Sequence, residues 1–138
     1  MPVSLEIREI SAPQTWPLRH QVMWPHKPIS FVQLPEDEGG LHFGAFLDQE
    51  LVSVVSLFIQ GDQAQFRKFA TLQQYQGQGI GRQLLGHVLS YASSQNLSRV
   101  WCHARSSACS FYQKMGMEAE GEPFIKNGLE YVRMVKSL

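Results

Sequence analysis

The sequence predicts an α/β (α+β) protein: a mixed, mostly antiparallel central sheet of about seven strands flanked by helices. Strand-like and helix-like periodicities follow one another in the order β-α-β-β-β-α-β-α-β-β. Two long apolar runs, Leu41-His42-Phe43-Gly44-Ala45-Phe46 and Leu51-Val52-Ser53-Val54-Val55-Ser56-Leu57-Phe58-Ile59, flank Asp48-Gln49-Glu50 and predict a hairpin. A clean amphipathic helix pattern follows directly on a glycine-rich turn. At 138 residues the chain reads as a single domain, 1–138, large enough for a continuous core.

Each element has its own signal. Val3-Ser4-Leu5-Glu6-Ile7 alternates with period two and predicts the first strand. Residues 13–24 predict a helix, with Ser11 as N-cap and Pro25 ending it. From 25 to 40 the chain carries Pro25, Pro28, Pro35, Gly39 and Gly40, which predicts irregular or partly helical structure. After the hairpin, Gly61-Asp62 turns the chain into a strand over 64–72. Ile80, Leu84, Leu85, Val88, Leu89 and Ala92 repeat at helical spacing, so residues 78–95 predict an amphipathic helix. Gly86 inside it costs about 1 kcal/mol relative to Ala, and close packing against the sheet is the expected reason for it. A short strand over 99–103 follows, then a helix over 106–115 with Gly116 at C′. Strands at 118–120 and 129–136 around a Gly/Pro-rich turn complete the chain.

Composition excludes several classes. Lys+Arg and Asp+Glu both total 12, and 43% of residues are apolar, the balance of a globular chain. Nucleic-acid binding would need a basic excess or stripe, which is absent. No apolar run approaches the ~20 residues that span a bilayer. The N-terminus, Met1-Pro2-Val3-Ser4-Leu5-Glu6-Ile7-Arg8, has neither a basic n-region nor an apolar h-region. Cys102 and Cys109 lack CxxC or Cys/His ligand spacing and read as reduced thiols rather than a disulfide or metal site. The expectation is a cytoplasmic protein without metal, membrane or nucleic-acid partner.

The most informative run is Gln76-Gly77-Gln78-Gly79-Ile80-Gly81-Arg82. Glycine tolerates φ > 0 and close approach, so the turn can present several N–H groups to one ligand. A helix beginning there adds unpaired N–H groups and the positive end of its dipole. Between Gln63 and Met117 there is no Asp or Glu, but there are Arg67, Lys68, Arg82, Arg99, Arg105 and Lys114. Twelve acids spread evenly would place about five there, and a carboxylate-free middle suits a polyanion. The loop is not a P-loop, because Gly81 is followed by Arg82-Gln83 rather than Lys-Ser/Thr. Nor is it a dinucleotide fingerprint: the third glycine would fall at Arg82 or Leu84, and no acid follows about 20 residues on. What fits is Q-x-x-G-x-G, read as Gln76-x-x-Gly79-x-Gly81.

That pattern resembles the pyrophosphate loop, Q/R-x-x-G-x-G/A, of the GNAT superfamily of acetyl-CoA-dependent N-acetyltransferases. A second block, His103-Ala104-Arg105-Ser106-Ser107-Ala108-Cys109-Ser110-Phe111-Tyr112-Gln113-Lys114-Met115-Gly116-Met117, is similar to that family's N-A-R-x-x-A-x-x-F-Y-x-K-x-G-F segment. His103 replaces Asn and Met117 replaces Phe. The two blocks come in the family's order and spacing, and the resemblance covers residues 66–117.

The resemblance implies transfer of an acetyl group from acetyl-CoA, as co-substrate, directly to a primary amine of a small molecule or peptide. It implies that Gln76, Gly77, Gln78, Gly79, Ile80, Gly81 and Arg82 hold the coenzyme phosphates, mainly through backbone N–H groups; Arg82 reads equally as a solvated arginine. It places the pantetheine arm along Phe69, Ala70 and Thr71, with the Thr71 N–H nearest the acetyl carbonyl. A donor so placed is worth ~2.7–4 kcal/mol in acyl transfer. His103 and Ala108 are carried over as further coenzyme contacts.

Tyr112 carries over as the general acid. Ala108, Phe111, Tyr112 and Met115 share one helix stripe, which alone fits a core tyrosine equally well. A phenol with a pKa near 10 keeps its proton at neutral pH and can donate it to a thiolate. Many relatives use a strand Glu as base where this chain has Arg67 and Lys68. The remaining candidates are His42, Glu36, Asp37, Glu38 or water. His42 also reads as a packed residue and the acidic triplet as a solvated turn, while His20, His26 and His87 read as surface residues. Trp16, Arg19, Met23, Trp24, Phe31 and Tyr131 read as acceptor-pocket walls or as core. A homodimer is compatible with this reading. The alternatives in other classes are an acyl-CoA-sensing module without turnover and a structural domain.

Overall fold

The computed structural model describes residues 4–138; Val3, expected in the first strand, lies outside them. Seven strands form one sheet, and three α-helices pack on it. In chain order these are β1 Leu5–Ile10, α1 Ala12–Met23, β2 Leu41–Leu47, β3 Glu50–Gln60, β4 Gln63–Thr71, α2 Ile80–Ser94, β5 Arg99–Arg105, α3 Cys109–Lys114, β6 Glu118–Lys126 and β7 Leu129–Ser137. Residues 25–40 hold two short 3₁₀ turns, Ile29–Val32 and Asp37–Gly39, as the prolines and glycines there predict. The sheet order is β1-β2-β3-β4-β5-β7-β6, and every pairing is antiparallel except β4–β5.

Local chemistry explains the joints. The β2–β3 hairpin turns at Asp48 and Gln49, both with positive φ (50° and 74°), a pairing that matches the right-handed strand twist. At the start of α1 the Ser11 N–H donates to Gln14 Oε1 at 2.8 Å, and Pro13 sits in the first turn, where no N–H is needed. The α2 stripe Ile80, Leu84, Leu85, Val88, Leu89 and Ala92 is buried in full. Gly86, expected against the sheet, instead faces α3: a Cβ built on it would stand 4.0 Å from Met115 Cε.

Two elements differ from expectation. The helix expected over 106–115 begins as a 3₁₀ turn, Ser106–Ala108, and becomes α-helical only over Cys109–Lys114. It ends in a Schellman motif, Met117 N–H to Tyr112 O and Gly116 N–H to Gln113 O, both 3.0 Å, with Gly116 at φ 87°. The strand expected to stop at Glu120 continues to Lys126, passing Pro123. As an edge strand β6 can lack an N–H on its free side. Its pairing with β7 shifts between Glu120 and Phe124, and Gly121 takes φ 80° there, a bulge that absorbs both breakers.

Adjacent β2 residues show which helix covers which face. Phe43 packs on His87 and Tyr91 of α2, while His42 points the other way into a buried network under α1. There Arg19, with no solvent exposure, donates to Asp37 through both terminal nitrogens at 2.8 and 3.0 Å. It also reaches Val32 O at 2.9 Å and Ser56 Oγ at 2.8 Å. Trp16 Nε1–H and the Leu34 N–H both donate to Asp37 Oδ2 at 3.0 Å. Burial pushes the Asp37 carboxyl up, but hydrogen bonds from Arg19, Leu34 and Trp16 outweigh it and hold the group below the usual range. This network ties α1 and the 37–39 turn to β2 and β3.

Candidate active site

Parallel strands β4 and β5 pair only at Gln63–Arg99, Ala64–Val100 and Gln65–Trp101, and beyond these no ladder joins them. The cause lies in β4. Its register against β3 slips between Val54 and Ser56, and Lys68 takes φ 56°. A bulge with a left-handed lysine raises the local twist and swings the end of β4 away from β5. The strand before the glycine loop therefore has a free edge where the sheet divides.

A cavity of about 460 Å³ lies along this edge. Phe69, Ala70 and Thr71 of β4 line it, with Gln76, Gly77, Gly79, Ile80, Gly81 and Arg82 of the loop and α2. Phe111 of α3, the phenylalanine of the Phe-Tyr pair in the second block, also lines it, and Tyr75 and Val22 of α1, for which the sequence carried no motif, complete it. Gln78, His103, Ala108 and Tyr112 lie outside this lining.

The loop glycines differ in their reasons. Gly77 and Gly79 take φ 78° and 82°, with open space where a Cβ would stand. The backbone is bare there and a larger residue would be strained. Gly81 has ordinary helical φ, but its Cβ would meet Phe69 Cζ at 3.2 Å and Thr71 Oγ1 at 3.5 Å. The third glycine thus serves the close approach of α2 to β4. Gln76 Nε2 donates to Thr71 O at 2.9 Å, and Gln78 Nε2 to Gln74 O at 3.2 Å, so both glutamines brace the turn. α2 starts at Ile80 with no acid in its first turn, leaving its N–H groups and dipole available to an anion beside Arg82. Bare backbone, a helix N-terminus and a slot beside a free strand edge fit a pyrophosphate with an extended arm.

Tyr112 stands just beyond, its ring 5.9 Å from Phe66 and 5.2 Å from Phe111, which lines the cavity. Burial raises its phenol above the ordinary value, and Cys102 and Cys109 add to this. Cys102, buried on the same side, is pushed up to about 12 by burial; it and Cys109 are free thiols. His103 points to the other sheet face, with its ring 5.2 Å from Trp101 and 4.9 Å from Phe124.

The base candidates do not gather at the cavity. His42 is buried, with Nδ1 2.7 Å from Ser56 Oγ and Nε2 2.8 Å from Asp37 O; it is a packed residue. Asp37, expected in a solvated turn, is buried and committed to Arg19. Glu36 faces Arg67 at 3.5 Å, and Glu38 is exposed. Of the suggested acceptor walls, Arg19 and Trp16 belong to the buried network. Trp24 and Phe31 pack edge to face at 5.1 Å, and Tyr131 stacks on Phe124 at 6.0 Å. A second cavity, about 650 Å³, opens on the α1 face between Phe58, Gln65, Trp101 and Arg133. Glu36, one of the suggested bases, also lines it; the strand residues Gln65, Trp101 and Arg133 escaped the sequence reading because single polar residues alternating along a strand look like a solvated face.

The acetyltransferase (GNAT) domain family matches residues 24–138. An uncharacterised N-acetyltransferase of Bacillus subtilis (strain 168), YitI, is 33% identical over 144 aligned positions, covering 97% of each chain. Among solved structures, a Lactobacillus plantarum protein described as a candidate N-acetyltransferase superposes with TM-score 0.87 at 23% identity, over 98% of this chain and 99% of that one. A GNAT family acetyltransferase from Elizabethkingia anophelis with acetyl-CoA bound gives 0.77 at 20% identity, over 97% and 98%. The chain belongs to the GNAT acetyltransferase family, acyltransferases that depend on acetyl-CoA. No helix among the described residues is long and apolar enough to cross a membrane.

Proposed function

We propose that this acetyltransferase moves the acetyl group of acetyl-CoA directly to a primary amine of a small molecule or peptide. Acetyl-CoA supplies the acetyl group as a thioester. In this reading the 76–82 loop and the first turn of α2 hold the phosphates through backbone N–H groups, with Arg82 adding charge. Phe69, Ala70 and Thr71 offer the free β4 edge to the pantetheine arm, and the Thr71 N–H polarises the thioester carbonyl. The amine attacks in its neutral form and gives up its proton to water as the C–S bond breaks. Tyr112, which keeps its proton well above neutral pH, donates from Oη to the departing sulfur and is reprotonated from solvent. His103 and Ala108, on β5 and in the 3₁₀ turn before α3, are the further coenzyme contacts. The cavity along the free edge of β4, ending on bare glycine backbone at a helix N-terminus, carries the proposal.

A second reading, acyl-CoA sensing without turnover, draws on one observation: Asp37 and His42 are locked in the buried network and no carboxylate stands on β4. Thiol release from acetyl-CoA with an amine panel separates the two. Amine-dependent release supports transfer. Binding of acetyl-CoA with no release for any amine supports the sensor.

A further inference from the structure

Lys68 stands where β4 leaves β5, in a backbone conformation that does not suit it. Arg67 pairs with Ser56 and Ala70 with Val54, so Lys68 and Phe69 both fall opposite Val55. In this bulge Lys68 takes φ 56°, a left-handed conformation that costs energy for any residue with a Cβ. Glycine or asparagine would meet the backbone demand more cheaply. Strain of this kind collects at sites that use the residue it holds.

The side chain is half-buried, and among the described residues it makes no hydrogen bond or ion pair. Burial lowers its ammonium below the ordinary value, and Arg67, Arg19 and Lys126 lower it further. The acid opposing this is Asp37, already committed to Arg19. A lysine so placed gives up its proton more easily than one in water, and the neutral Nζ is a nucleophile.

Its position matches that chemistry. The next residue, Phe69, lines the coenzyme slot, and beyond Gln65 no ladder joins β4 to β5. Thr71, whose N–H faces the thioester carbonyl in the reading above, lies three residues on, at most about 10 Å of strand. An extended lysine stem covers ~6 Å, and attack takes place across about 3–3.5 Å. The two lengths together meet the span.

Resting on the reading that acetyl-CoA occupies this slot, we infer that Lys68 is a self-acetylation site: without an acceptor, its Nζ takes the acetyl group of the coenzyme bound to the same chain. The neutral nitrogen bonds to the carbonyl carbon, and the C–S bond breaks with its electron pair leaving on sulfur. Tyr112 protonates the sulfur, and the nitrogen's proton passes to water. Nε-acetyl-Lys68 and the free coenzyme thiol result. The product is an amide, which does not pass the acetyl group on, so it is a modification and not a step in transfer to the acceptor.

The test incubates the protein with acetyl-CoA and no amine, followed by intact mass, peptide mapping and calorimetric titration. The expectation is one added acetyl group, about 42 Da, at Lys68. It should form roughly 100-fold faster than at the exposed Lys27 and Lys114. The rate constant should saturate with acetyl-CoA, stay independent of protein concentration, and fall to the level of those two lysines in Gly79→Val. Lys68→Arg should bind acetyl-CoA as the wild type does and take up no acetyl group above that level. A rate at Lys68 no greater than at Lys27 and Lys114, a rate constant that rises with protein concentration, or unchanged acetylation in Gly79→Val overturns the inference. An unmodified Lys68 in a protein that binds acetyl-CoA also overturns it, and leaves the transferase reading to the amine panel. Acetylated Lys68 with no amine-dependent thiol release sustains the inference and removes transfer to an amine. Absence of acetyl-CoA binding removes both.

Discussion

Arg19 and Asp37 meet in a bidentate pair, Nη1 to Oδ2 at 2.8 Å and Nη2 to Oδ1 at 3.0 Å, inside the protein. The pair joins α1 to the turn before β2, and the Ser56 and His42 hydrogen bonds extend it to the sheet. Removing one partner of such a pair leaves a buried charge. Asp37→Asn should therefore destabilise the fold by about 3–5 kcal/mol, read by urea unfolding. A loss below about 1 kcal/mol would mean that the pair contributes nothing beyond its packing.

The same pair sets an acid limb. The folded Asp37 carboxyl lies below its ordinary 3.8, so its contribution is complete above that value and disappears as pH falls through the lowered folded value. Melting temperature should drop on acidification below about pH 4 more steeply in the wild type than in Asp37→Asn. Equal slopes would assign the acid sensitivity to other carboxylates.

The unequal legibility of the chain has physical causes. The α2 stripe and Gly116 were readable because helical period and φ > 0 are local demands that leave local marks. The lysine bulge that opens the sheet was not readable: Lys68 is no turn former, and only pairing with β3 shows the slip. Arg19–Asp37 joins residues 18 apart through an irregular segment, beyond any periodicity. Pro123 and Gly121 hid most of β6, because an edge strand tolerates what a central strand does not. At the site, the motif marked the glycine loop, while Val22, Tyr75 and the α1-face residues Trp101 and Arg133 entered through tertiary packing.

Gly86→Ala should stabilise the protein by about 1 kcal/mol, since the new methyl meets Met115 at an ordinary contact distance and removes a helix-interior glycine. Thermal unfolding checks this. Destabilisation would show that α2 and α3 pack more tightly than 4.0 Å implies.

Gly79→Val and Gly81→Val should both weaken acetyl-CoA binding, for different reasons. The first forces a β-branched residue to φ 82°; the second pushes α2 off Phe69 and Thr71. Circular dichroism should remain native-like. Wild-type affinity in either variant would place the phosphates elsewhere.

Tyr112→Phe should lower kcat by about 10²–10⁴-fold with coenzyme affinity and melting temperature little changed, because the ring packing on Phe66 and Phe111 survives. With its phenol raised above 10, Tyr112 should cause no loss of activity on its own account below that pH. A near-normal kcat in the Tyr112→Phe variant assigns the tyrosine to the core.

Titration of acetyl-CoA against the wild-type protein, followed by melting temperature and calorimetry, tests the central claim most directly. A ligand bound only by the folded state adds ~2.7 kcal/mol at a hundredfold excess over Kd. The account predicts saturable binding in the micromolar range, a rise in melting temperature with concentration, and loss of both in Gly79→Val. No shift at millimolar acetyl-CoA or CoA would contradict it.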